Sequence, residues 1–191
     1  HPGQTDVRIV AKAPTQAEAQ ALVAGFEAKI RKRLGAAIYA TGDATLEAIT
    51  ADLLRGRGAT LAVAETVTQG DISRRLSAHP DVFRGGIVAV DGQGLAHLLG
   101  VRVGSLAGET AAVVLAEGVR RACEASHGLA VLGDGTSKPW VAVAGDADQV
   151  RQETRRMRFS GRDRRTRIWT TTLALEFLRR LLLGLADGWA E

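Results

Sequence analysis

One cysteine, Cys123, is present among 191 residues, so neither an internal disulfide nor a cysteine metal cluster can form. It falls on an Ala/Val helix face and reads as core. Aromatic residues make up only 4% of the chain. Lysine is scarce too: Lys12, Lys29, Lys32 and Lys138 are the only ones, and arginine supplies the rest of a net charge of +4. No run of 18 apolar residues occurs and no charged-then-apolar leader opens the chain. Neither a membrane span nor a signal peptide is therefore expected. These absences point to a cytoplasmic protein. Its first residue is His1 rather than methionine, as expected of a fragment or trimmed chain. What is present is ordinary for a globular protein, with 46% apolar and 24% charged residues, enough for one well-cored domain and a small appendage. Abundant alanine and arginine reflect nucleotide composition as readily as function, which lowers the weight of any basic cluster.

The stretch Thr60–Gly70, TLAVAETVTQG, organises the chain. Its first residues read as a buried strand, a polar turn follows, and Gly70 stands where a helix begins. Ligands of open α/β sheets bind beyond the carboxyl ends of strands, beside unpaired helix N–H groups. Glu65, Thr66 and Thr68 are thus the expected rim of any small-molecule pocket.

Upstream, Val7–Lys12 alternates like a half-buried strand. Thr15 and Glu18 have capping-box spacing for a helix running to Leu34, with Gly35 as its stop. Ala36–Ala40 reads as a second short strand. This β-α-β unit, residues 1–41, has too little apolar surface to fold alone. Asp43 or Thr45 caps the next helix, which bears Leu46, Ile49 and Leu53 and opens the main domain, 42–191. After the Thr60 strand come a helix over 70–76, an interior-type strand over Ile87–Val90 and a short helix near Leu95–Leu99. A long helix over 108–126 follows, then strands at Leu129–Leu132 and Trp140–Ala144 paired antiparallel. Arg155–Phe159 reads as an edge strand, and a helix over 163–185 ends the pattern. Five strands with helices on both faces make a three-layer α/β/α domain on a mixed sheet, preceded by the β-α-β appendage.

Thr66 stands where a nucleophile could stand, but a hydroxyl is inert until a base takes its proton, and no histidine is near in sequence. An N-cap hydroxyl for the following helix is the preferred account. Glu65, directly after a buried strand, must be paired, hydrogen-bonded to backbone, or functional. Asp91 and Asp134 also follow apolar strands, so several carboxylates are expected near one end of the sheet. Without a histidine they suit a hard cation such as Mg²⁺, while capping and turn roles beside Gly92 and Gly135 explain the two aspartates equally well. No metal or other cofactor is assigned. Arg151–Arg167 holds eight arginines. With Phe159 and Trp169 as the only aromatics there, it reads as a solvated edge rather than a nucleic-acid surface.

The order of motifs resembles the CinA family of competence/damage-inducible proteins. Ala64-Glu65-Thr66-Val67-Thr68-Gln69-Gly70 is similar to its A-E-S-x-T-G-G motif. Gly85-Gly86-Ile87-Val88-Ala89 with Leu98-Leu99-Gly100-Val101 resembles G-G-V-V-A-Y-S-N-x-x-K-x-x-L-L-G-V. Gly133 and Lys138-Pro139 are similar to T-G-x-A-G-P…K-P-V-G, and Phe159-Ser160-Gly161 to F-x-G-D-R. Residues 43–54 resemble the approach to the domain, and the amino-terminal unit resembles the end of a KH-like domain. The resemblance implies a five-stranded mixed sheet and a nicotinamide-nucleotide amidase pocket, with the motif serine as nucleophile helped by the lysine and tyrosine. It implies Thr66 as the catalytic position, and Glu65, Thr68, Gly70, Asp91, Gly133 and Asp134 around a nucleotide-like ligand. Here the serine is Thr66, the tyrosine Val90, the lysine Leu95 and a glycine Gln69. Leu132 replaces the threonine before Gly133. These departures predict negligible amidase activity and a binding or assembly module, dimeric, with no membrane or nucleic-acid partner. The alternative is a divergent hydrolase of a related amide that uses Thr66.

Overall fold

Strand residues of odd and even number differ in size, and that parity builds the two sides of the molecule. The computed structural model describes residues 3–104, 108–145 and 153–185. Its strands are β1 (Leu61–Glu65), β2 (Phe83–Val88), β3 (His127–Leu132), β4 (Trp140–Gly145) and β5 (Glu153–Arg156). They form one sheet in the order β2-β1-β3-β4-β5. The β1–β2 and β1–β3 pairs are parallel, and β4 and β5 run antiparallel to their neighbours. Leu61, Val63, Leu129, Val131, Val141 and Val143 face one way. They pack against α2 (Leu46–Arg55), α3 (Asp71–Leu76) and α6 (Arg164–Leu182). Ala62, Ala64, Ala130, Ala142 and Ala144 face the other way, under α4 (Gly92–Leu98) and α5 (Glu109–Ala122). Helices on both faces of a mixed five-stranded sheet are the expected three layers.

The alanine face lets α5 lie close. A Cβ added at Gly128 would overlap the carbonyl oxygen of Ala116, so the glycine sets the helix–sheet spacing. Caps follow the sequence: Thr15 accepts from the Glu18 N–H, Thr45 from Ala48, Asp91 from Gly94 and Asp163 from Thr166.

Three expectations change. Ile87–Val90 is not an interior strand. The strand there starts at Phe83 and lies on the sheet edge, with Val88 45% and Val90 77% exposed. A short apolar run cannot by itself distinguish an edge from the centre. Val7–Lys12 forms no strand and takes no strand partner among the described residues, and Gly35–Ala37 is a 3-10 turn rather than the start of a strand. The helix between them, α1 (Gln16–Leu34), buries none of its residues. A two-strand unit without a third neighbour lacks the apolar area to order its ladder. Contact with the rest of the chain includes Tyr39, packed against the core, and the Arg179 guanidinium, which donates to the Ala36 carbonyl at 2.6 Å. Gly3 also lies against Thr172. Arg151, counted in the arginine run, lies outside the described residues.

Candidate functional site

β1 ends on a carboxylate that never reaches water. Glu65 is fully buried, and one of its oxygens accepts from the Ile72 N–H at 3.1 Å. The other accepts from the Ser73 N–H at 2.9 Å and the Ser73 hydroxyl at 2.6 Å. These are first-turn groups of α3, whose own N-cap, Gly70, offers no side chain. Glu65 supplies the missing cap from the preceding strand, satisfying N–H groups that would otherwise be orphaned. Ser73 can approach because the next strand carries Gly86, where a Cβ would overlap the Ser73 hydroxyl.

Thr66 does not cap α3; the N-cap reading is corrected. Its N–H donates to the Val131 carbonyl at 3.0 Å, and its hydroxyl oxygen accepts from the Gly133 N–H at 2.9 Å. The hydroxyl proton is shared between the carbonyls of Gly133 at 3.0 Å and Val131 at 3.1 Å. The side chain thus pins the β1 turn to the end of β3. Gly133 is held from the other side too, since a Cβ there would press on Pro139 and Val67. Among the described residues, every hydrogen-bond partner of the Thr66 oxygen is backbone.

Further round the turn, Thr68 is buried with a hydroxyl that meets no partner among the described residues. Gln69 adopts a left-handed conformation, φ 54°, which a glycine would take without strain. Its side-chain oxygen accepts from Arg167 at 3.1 Å. Gly70 is also left-handed, φ 83°, and lies against Val88.

The other two carboxylates are occupied in turns. Asp91 caps α4 through the Gly94 N–H at 2.8 Å. Asp134 accepts from the Thr136 and Ser137 N–H groups at 2.8 and 2.9 Å and from the Ser137 hydroxyl at 3.0 Å. Those donors, the Ser137 N–H foremost, hold its pKa well below the usual carboxylate range. Both aspartates are exposed, whereas Glu65 is sealed inside. Among the described residues no group of three or more His, Cys, Asp or Glu could hold a metal ion. Thr66 and Gly133 are therefore brought together, while Glu65, Asp91 and Asp134 each serve a separate backbone segment.

Val90 and Leu95 differ in kind. Val90 projects into solvent, and Leu95 is fully buried in the alanine-side core beside Ala96 and Leu115. A groove of about 570 Å³ opens between Leu99–Arg102 and α5, but it shares no residue with the Thr66 turn. Sequence reading missed Ser73, Gly86 and Arg162. The last donates to the Asp134 carbonyl at 3.0 Å. Only the Gly-Gly pair in the strand signalled a close approach.

A family model for the CinA C-terminal domain matches residues 43–182, and one for the KH domain of damage-inducible protein CinA matches 1–40. A CinA-like protein of Frankia casuarinae is 40% identical over 203 residues, covering 97% of this chain and 46% of the relative. A CinA-like protein of Myxococcus xanthus is 35% identical, covering 96% and 48%. The chain thus spans about half the length of these curated relatives. Among solved structures, a competence-damaged protein (CinA) superfamily protein from Klebsiella pneumoniae superposes with a TM-score of 0.65 at 25% identity. That match covers 73% of this chain and 96% of the other. A competence or damage-inducible protein from Enterobacter asburiae gives 0.60 at 26% identity, covering 75% and 100%. With its sheet and both matched segments in agreement, this chain belongs to the CinA family.

Proposed function

We propose that residues 42–191 form a CinA-type, nicotinamide-nucleotide amidase-like domain that no longer cleaves amides. It acts instead as a cytoplasmic binding or assembly module, paired with a second copy and preceded by a KH-like unit at 1–41. The observation that carries this reading is the environment of the Thr66 oxygen, whose partners among the described residues are all backbone groups of Val131 and Gly133. A hydroxyl nucleophile needs a base within hydrogen-bond reach, and general-base help is worth about 10²–10⁴ in rate. The position that resembles the family's lysine is Leu95, packed in the core, so that motif offers no base. The γ-methyl of threonine further restricts the rotamers from which an attack could start. What remains is a scaffold whose turn from Glu65 to Gly70 and loop from Gly133 to Ser137 could hold a nucleotide-like molecule without reacting with it.

Ammonia release from nicotinamide mononucleotide tests the proposal, with wild type and Thr66→Ala compared at equal concentration. Neither is expected to exceed the buffer rate. Ammonia formation by the wild type that disappears in Thr66→Ala overturns it and reinstates a hydrolase.

A further inference from the structure

The arginine run supplies most of the charge asymmetry of this protein. Residues 151–167 carry eight arginines against Glu153 and Asp163, a net +6 in a chain of +4, which leaves the rest of the chain at −2. Elsewhere in the main domain, arginines are largely neutralised in place. Arg75 pairs with Glu47, Arg120 and Arg121 with Glu117, and Arg179 and Arg180 with Glu176. Around β5 and the start of α6 the pattern reverses. Among the described residues Arg156, Arg164 and Arg165 are exposed and meet no carboxylate, and Arg162 binds only a backbone carbonyl. The acid among them, Asp163, is committed to the Thr166 N–H and hydroxyl.

Placement adds a second observation. β5 is a sheet edge, and its pairing continues past Arg156 through the Met157 N–H to the Pro139 carbonyl. Beyond Met157 the chain turns outward and presents Phe159, 41% exposed, with its ring edge-on to Trp169 at 5.2 Å between centroids. An aromatic braced from behind and flanked by arginines offers both parts of a single-strand site: charge for phosphates and a π-face for a base. Edge protection alone explains charge on β5. It does not explain Phe159, or arginines in the first turn of α6. Every α-helix among the described residues except α4 and α6 carries an acidic residue in its first turn; that of α6 has none and carries Arg164, Arg165 and Arg167. Cations there oppose the helix dipole, a cost that a bound polyanion removes.

Against the solvated edge and absent nucleic-acid partner expected from the sequence, we propose that the surface formed by Arg156, Phe159, Arg162, Arg164 and Arg165 binds single-stranded nucleic acid. The arginines contact successive phosphates and Phe159 stacks on a base. This holds whether or not the Thr66 turn retains chemistry, and it is read by a different assay.

The test is fluorescence anisotropy of the full chain with a labelled 12-nucleotide single strand, at 50 and 200 mM salt. Four phosphate contacts on a single strand predict a loss of affinity of about 50-fold between those salts. Arg164→Glu with Arg165→Glu supplies the first-turn acids that α6 lacks, so folding is retained while affinity falls at least tenfold. Phe159→Ala is expected to weaken binding about fivefold or more. Absence of binding at 50 mM salt by protein of unchanged melting temperature overturns the proposal, as does binding that ignores the double reversal. Heparin competing fully while Phe159→Ala has no effect, or a duplex binding as well as the single strand, overturns the assignment to single-stranded nucleic acid.

Discussion

Replacing Glu65 by alanine tests whether its buried carboxylate serves the fold. The substitution removes the acceptor of three hydrogen bonds, from the Ile72 N–H and from the N–H and hydroxyl of Ser73. The hydroxyl can rotate to another acceptor, but the two backbone donors at the start of α3 cannot. Each orphaned buried donor costs about 1–3 kcal/mol, and the lost methylenes leave a small void. Against this, alanine spares the desolvation of a buried charge, which offsets part of the loss. A net destabilisation of about 3 kcal/mol follows, or about 6–12 °C in melting temperature for a chain of this size. Urea denaturation of wild type, Glu65→Ala, Ser73→Ala and the double variant gives the measurement. The Glu65 and Ser73 effects should be non-additive by at least about 0.5 kcal/mol, because their polar atoms touch. A loss under about 1 kcal/mol for Glu65→Ala, with full additivity, would refute the reasoning and reopen Glu65 as a group kept for chemistry.

Other perturbations follow from the same geometry. Gly86→Ala should displace Ser73 and cost about 1–3 kcal/mol, a loss that shrinks but persists when Ser73 is already alanine, because the Cβ of residue 73 would still lie at 2.8 Å, as the urea midpoints of the pair will tell. Gly128→Ala drives a methyl group into a backbone carbonyl of α5, which cannot rotate away, so a loss of about 3 kcal/mol or failure to fold is expected in denaturation or soluble yield. Leu95→Lys, which restores the family's residue type at that position, places an ammonium in the alanine-side core; it should destabilise by several kcal/mol without producing ammonia release. Asp134 has a folded pKa below its unfolded value, so its contribution is complete above about pH 4, the usual aspartate range, and fades as pH falls through the folded value. The melting-temperature gap between wild type and Asp134→Ala should therefore be constant from pH 7 to about 5 and shrink on further acidification.

Local patterns made much of this protein legible. The caps at Thr15, Thr45 and Asp163 lie within three residues of the N–H groups they serve, so spacing alone exposes them. The buried runs that became β1, β3 and β4 are apolar on both faces, and the turn after β1 stands out because polar residues follow such a run. Those features predicted the layered mixed sheet and placed the candidate site, and the family resemblance rests on the same stretches.

Other features depend on which distant segments meet. Whether Ile87 and Val88 sit at the centre or the edge depends on strand order, which no single strand encodes. Glu65 could have been a catalyst or a cap until α3 folded back over the strand that carries it. Thr66 looked like a local cap, yet its hydroxyl is satisfied 67 residues away at Gly133. Short-range hydrogen bonds and hydrophobic period are written in neighbouring residues. The fate of a buried polar group is decided only by the segments that close over it, because a donor or acceptor cut off from water must take whichever partner the packing brings.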